Sequence, residues 1–214
     1  GIRDGKIVRI GRIAEGNTGR SIDASGLIVA PGFIDMHSHA EEGLASDESE
    51  RRAAPNVVSQ GVTTVVVNQD GYRKAPIAEQ RRTFEVRGIG LNAVLFVGHK
   101  GLRLDVMKED FRRTATKKEI SQMRRLLKQD MEDGAWGLSA GLEYVPGRWA
   151  APEEMVALVR ELAPYDGVYV LHERSSGQTP FWYLPSRDKD EVPTTMVDNI
   201  KEIINVSEQT GVKV

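Results

Sequence analysis

Pro31-Gly-Phe-Ile-Asp-Met-His-Ser-His39 is the stretch from which the rest of the chain can be read. It opens with a Pro-Gly break, continues through apolar residues suited to a buried strand, and ends on two histidines one residue apart. Residues i and i+2 of a strand project to the same face, so His37 and His39 are expected to converge on one point. Two neutral imidazoles a few ångströms apart suit a shared metal ion of the zinc type. An isolated His-x-His is more often a pair of hydrogen-bonded core histidines. Its position after a Pro-Gly break, at the end of a buried strand, favours ligation.

Outward from this stretch the chain alternates strand and helix. The strand candidates are residues 33–39, 63–68, 92–99, 135–140 and 168–172, with 212–214 opening a sixth. Each is a short apolar run, as expected for strands buried on both faces. The clearest helix covers 116–133. Thr116 and Glu119 form a capping box, Ile120, Met123, Leu127 and Met131 make one apolar face, and Gly134 supplies the stop. A second helix begins at Pro152 and buries Met155, Val156, Leu158, Val159 and Leu162. A third covers 194–210 with Met196, Ile200, Ile203 and Ile204 inward.

Strands alternating with helices imply a parallel sheet with right-handed crossovers. No glycine-rich phosphate loop follows the first strand, which disfavours an open dinucleotide-binding sheet. A complete (β/α) barrel needs roughly 250 residues, so five strands and the start of a sixth would be part of one. Residues 1–30 carry short alternations at 6–10 and 26–30 and read as a small β-sheet subdomain. Residues 31–214 read as the N-terminal part of the barrel. The chain opens on Gly1 and stops as the sixth strand begins, so it is read as a piece of a longer polypeptide.

The four histidines, His37, His39, His99 and His172, all fall at the C-terminal end of a strand candidate. That rim is where barrel active sites are built. The 214 residues are 40% hydrophobic and 28% charged with a net charge of −2, which gives no electrostatic case for nucleic acid or an anionic membrane. No apolar run is long enough to span a bilayer. There is no cysteine, so disulfides and thiolate ligands are excluded and a metal must be held by nitrogen and oxygen. A cytoplasmic location is the expectation, with a secreted or periplasmic one left open by the missing N-terminus.

The stretch 31–39 resembles the metal-binding signature that opens the barrel of the amidohydrolase superfamily. Further segments narrow the resemblance to the N-acyl-D-amino-acid deacylase branch: Ser59-Gln-Gly-Val-Thr-Thr-Val-Val-Val67, Gly98-His-Lys-Gly-Leu-Arg103, the run from Asp133 to Gly147 containing Gly-Leu-Ser-Ala-Gly-Leu-Glu-Tyr-Val-Pro-Gly, and His172-Glu-Arg174. The resemblance implies a (β/α)8 TIM-type barrel of the metal-dependent hydrolase kind, preceded by part of a small β-sandwich. It implies Zn2+, as one or two divalent ions, with His37 and His39 at the more exposed site and His172 at the tighter one. Asp70 stands where the branch has a cysteine. A carboxylate can coordinate or bridge as a thiolate does, though Asp-Gly is also a common turn dipeptide. Other amidohydrolases carry a bridging carboxylated lysine on the fourth strand, where this chain has no lysine. A further histidine and the catalytic aspartate are expected beyond Val214.

Tyr144, Arg174 and His99 are the substrate-binding candidates, with weaker claims for Lys100 and Glu143. Tyr144 and Arg174 suit a substrate carboxylate or the scissile carbonyl, or else ordinary rim packing. His99 reads equally well as a structural histidine. The aromatic stretch 178–187 reads as a loop that walls the pocket or folds on its own small core. The resemblance implies metal-assisted deacylation of small N-acyl-D-amino acids. A cyclic amide or isoaspartyl-dipeptide hydrolase and a non-catalytic binding module are the alternatives. Half a barrel exposes apolar edges, so a homo-oligomer or association with the remainder of the barrel is expected.

Overall fold

The computed structural model describes residues 1–13, 19–174 and 195–214. They fall into two compact units, Gly1–Pro31 and Gly32–Val214. In the first, β1 (Ile2–Arg3) pairs antiparallel with β2 (Lys6–Ile7) around Asp4-Gly5, both of positive φ. The alternation at 26–30 forms no strand, contrary to expectation. Leu27, Ile28 and Val29 are all exposed, so the pattern has no buried face to satisfy.

The second unit is an α/β arrangement with parallel sheets. β3 (Phe33–Asp35), β4 (Val62–Val67) and β5 (Asn92–Leu95) pair in that order. So do β6 (Val97–Gly98), β7 (Gly137–Gly141) and β8 (Val168–His172). The single strand expected at 92–99 is divided at Phe96, whose N–H still donates to Val67 O at 3.3 Å. Its last residue, His99, opens a helix instead. A parallel bridge between Val168 and Lys213 continues the series at the expected sixth strand. Parallel strands that follow chain order, without the reversal of a doubly wound sheet, make the unit TIM-barrel-like.

The crossovers are helical. α1 (Glu41–Leu44), α2 (Ser49–Arg52) and α3 (Pro55–Val58) follow β3, and α4 (Ile77–Arg87) follows β4. Then come α5 (His99–Met107), α6 (Lys117–Glu132), α7 (Pro152–Val159) and α8 (Met196–Thr210). Val65, Val67, Val97, Leu138 and Ala140 on the strands meet Leu102, Met123, Leu127, Met155, Leu158 and Leu162 in one buried core. α7 starts on Pro152 at its first turn and buries Met155, Val156, Leu158 and Val159, while Leu162, expected on the same helix, is buried in the 3-10 turn that follows it. α8 is capped by Thr195 with Asp198 and closed by Gly211 at φ 71°. Its orientation departs from expectation. Met196, Ile200 and Ile204 are exposed and Ile203 is half-buried, while Val206 and Asn199 face inward. Asn199 donates to Arg174 O at 2.9 Å on the inward face of the helix.

α6 has the capping box read from sequence, with Thr116 accepting from Glu119 N and Glu119 accepting from Thr116 N at 2.7 Å. Arg113 adds two hydrogen bonds to the same carboxylate, at 2.9 and 2.7 Å. The Arg113 bonds, helped by Thr116, hold the Glu119 carboxyl down at about 2. A carboxyl lowered on folding contributes stability that is present above its unfolded value near 4.5 and lost as pH falls toward 2. Urea unfolding midpoints should therefore drop through that window in the parent protein. In Glu119→Gln the drop should be shallower, and an unchanged slope would contradict the assignment.

Candidate metal centre

β3 stops at Asp35, and Met36 to His39 follow as a bend and open loop. The alternation of a strand therefore does not bring the two histidines together, although they do meet. Asp35 Oδ1 accepts from His37 N at 3.1 Å, and Ser38 N donates to Val66 O at 3.0 Å, which pins the bend to β4. The rings meet edge to face with centroids 5.3 Å apart.

The segment Asn68-Gln-Asp-Gly71 leaves β4 with positive φ at Asn68, Asp70 and Gly71. Asparagine, aspartate and glycine are the residues that tolerate this region. Each neighbour of Asp70 holds a different strand. Asn68 Nδ2 donates to Phe96 O between β5 and β6 at 2.8 Å. Gln69 Nε2 donates to Met36 O at 3.2 Å and to Val66 O at 3.3 Å. Ser139 of β7 accepts from Gly71 N at 3.1 Å and donates to Asn68 O. Arg73 then pairs with the buried Asp130 of α6 at 2.9 Å. A side chain at Gly71 would press on Lys100 N and Gly141 N, and one at Gly98 would collide with Tyr72 O. The turn is packed on the ends of β6 and β7.

This brings Asp70 Oδ2 to 3.3 Å from His39 Nε2 and 3.7 Å from His37 Nε2. One donor atom from each residue lies within 4.8 Å of the others. Ligands about 2.1 Å from a tetrahedral ion lie about 3.4 Å from one another, so the three suit one ion. Asp70 Oδ1 faces the other way, 4.0 Å from His172 Nδ1, buried and without a hydrogen bond. A buried carboxylate oxygen with no donor is what a cation would satisfy. The residues fit a divalent ion. His37 and His39 are more than half exposed and His172 about one third.

His172 ends β8 and has three further contacts. Its Nε2 is 3.0 Å from Glu143 Oε2, its Nδ1 is 3.0 Å from the Tyr144 hydroxyl, and the Tyr144 ring lies 4.5 Å from its own. Glu41, which sequence reading passed over, is buried with Oε1 3.8 Å from His39 Nδ1. Its place two residues past His39 was the available signal.

Two candidates receive other partners. His99 is fully buried, and its Nε2 is 2.7 Å from Glu154 Oε1. Arg103 binds the second oxygen of that carboxylate. Burial alone would raise the Glu154 carboxyl, but the hydrogen bond and charge of His99 and the charge of Arg103 hold it below the usual range. The group locks α5 to α7. Arg174 is committed to Glu202 of α8 at 2.8 and 2.9 Å and to Ala150 O at 2.7 Å. These bonds take the fork that a substrate carboxylate would need. Lys100 enters through its backbone against Gly71. The aromatic stretch 178–187 lies outside the described residues.

Replacing Ser139 by alanine would leave Gly71 N and Asn68 O unpaired in a buried turn. Ser139→Ala is expected to cost about 1–3 kcal/mol in chemical denaturation. No measurable loss would mean that the turn does not need its anchor on β7.

The sequence matches the amidohydrolase family profile over residues 20–170. A D-aminoacylase of Alcaligenes xylosoxydans xylosoxydans is 34% identical over 83% of this chain. The zinc- and phosphonate-complexed N-acyl-D-glutamate deacylase of Bordetella bronchiseptica superposes with a TM-score of 0.75 at 28% identity, covering 89% of this chain. A D-aminoacylase structure described for its binuclear metal centre superposes at 0.71 and 28%, over 85%. The chain spans 40% of the length of the Alcaligenes and Bordetella proteins and 39% of the other. The family match takes in β3 to β7 with His37, His39 and His99, and the chain belongs to the amidohydrolase family.

Proposed function

We propose that the polypeptide carrying this chain is a metal-dependent hydrolase that removes the acyl group from N-acyl-D-amino acids. The observation that carries the reading is the spacing of His37 Nε2, His39 Nε2 and Asp70 Oδ2 as ligands of one ion, with Asp70 Oδ1 turned to His172. In this reading His37, His39, Asp70 and His172 would hold one or two divalent ions. A divalent ion of the zinc type, when bound, polarises an amide carbonyl and lowers the pKa of water at its open position.

The chain's own residues orient the reaction. Asp70 and the histidines would set the metal position, and the Tyr144 hydroxyl, 3.0 Å from His172 Nδ1, lies at the same rim and is assigned to contact with the substrate. The proton-transferring carboxylate is assigned to the polypeptide outside Gly1–Val214. The D-amino-acid substrate class rests on the named relatives, an N-acyl-D-glutamate deacylase and a D-aminoacylase. The fold in this reading is a (β/α)8 barrel of which residues 31–214 supply the first five strands and the start of the sixth. Residues 1–30 belong to a small β-sandwich. The remainder of the barrel covers Phe33 and Ile34 on β3 and the outer face of α8, all exposed here.

Elemental analysis of the complete polypeptide should find one or two zinc equivalents, lost in a His37→Ala, His172→Ala variant. The parent should hydrolyse N-acyl-D- in preference to N-acyl-L-amino acids. Bound zinc with hydrolysis of neither would leave the metal centre standing and remove the deacylase assignment. No metal in either protein would remove both.

A further inference from the structure

Glu143 sits two residues past the end of β7, and Gly141 pairs with His172 at the ends of β7 and β8. Leu142 N continues the pairing to His172 O at 2.8 Å, which swings Glu143 beside the imidazole. The Glu143 side chain is only 6% exposed, and its Oε2 is 3.0 Å from Nε2. Burying a carboxylate is costly unless donors meet it, and that ring nitrogen is placed to supply one.

The three neighbours of the imidazole agree on one arrangement of its proton. A neutral imidazole has one N–H and one lone pair, and an ionised carboxylate can only accept. The N–H therefore belongs on Nε2, facing Glu143. That leaves the lone pair on Nδ1, where the Tyr144 hydroxyl can donate and where Asp70 Oδ1 lies 4.0 Å away. Carboxylate partners of this kind fix the tautomer and raise the basicity of metal-ligating histidines.

We propose that Glu143 is the positioning residue for His172, holding it as the Nε2–H tautomer so that Nδ1 is the nitrogen presented to the metal beside Asp70. This rests on the metal-centre reading above. The Tyr144 hydroxyl lies 3.0 Å from Nδ1 and would have to yield that place to an ion. Glu143 thus acts from the fourth strand through a histidine of the fifth, without itself contacting the ion.

The test uses nitrogen-15 long-range correlation spectra of the complete polypeptide, metal-free and loaded with cadmium-113, together with zinc affinities from chelator competition. Metal-free His172 should appear as the Nε2–H tautomer. After loading, cadmium should couple to Nδ1 with Nε2 still protonated. Glu143→Ala should lose the single tautomer and bind zinc roughly 10- to 100-fold more weakly. Glu143→Gln keeps an accepting oxygen and should restore the tautomer and most of the affinity, which a mere folding defect would not do. An Nδ1–H tautomer in the metal-free parent, cadmium on Nε2, or unchanged affinity in Glu143→Ala would each overturn the proposal. A parent that binds neither ion would instead sink the metal centre, while the metal-free tautomer would still decide the role of Glu143.

Discussion

A carboxylate carried on left-handed backbone is the constraint around which this rim is arranged. Asp70 has φ 55° and lies between Asn68 and Gly71, which also have positive φ. A left-handed residue other than glycine costs roughly 1–2 kcal/mol, less for asparagine and aspartate. A single net hydrogen bond returns about 0.5–1.5 kcal/mol, so one contact would barely hold the turn. Several do: Asn68 to Phe96 O, Gln69 to Met36 O, and Ser139 to both ends of the turn. The same bonds tie β4 to its neighbours on either side. The geometry of the turn and the alignment of the strands therefore stand or fall together.

The layer beneath keeps that alignment rigid. Arg73 and Asp130 fix the exit of the turn to α6, with burial pushing the Asp130 carboxyl up and Ile77 N and Arg73 opposing it. His99, Arg103 and Glu154 lock α5 to α7, and Arg174 with Glu202 locks the end of β8 to α8. Each is a buried or half-buried charge met by a partner on a different crossover. Breaking one member of such a pair leaves an uncompensated charge, so these contacts specify how the helices dock.

The sequence was most informative where one periodicity governs one element. Met123, Leu127 and Met131 on α6 and Met155, Val156, Leu158 and Val159 on α7 are buried as their apolar spacing selects, and the strands at 168–172 and near 63–68 lie where the β-branched runs put them. It was less informative where a long-range polar contact decides. Asn199 of α8 faces inward, and nothing local signals that its acceptor is Arg174 O. His99, which read equally well as a pocket or a structural residue, and Arg174 pair with Glu154 and Glu202, partners too distant in sequence to be read locally. The convergence of His37 and His39 was anticipated for the wrong reason, since a bend rather than a strand produces it. Asp70 was visible only through a family resemblance, because Asp-Gly by itself reads as an ordinary turn.

The turn at Asp70 also bears on how such a rim can change. Its path is set by bonds from the residues on either side, and by the close approach of Gly71 and Gly141, while the Asp70 side chain accepts no hydrogen bond at Oδ1. Backbone shape and ligand chemistry are thus separable at this position. It behaves as a socket: an asparagine, which tolerates the same left-handed backbone, could be seated there with the neighbouring bonds undisturbed, changing the donor atoms offered to a cation without redrawing the turn.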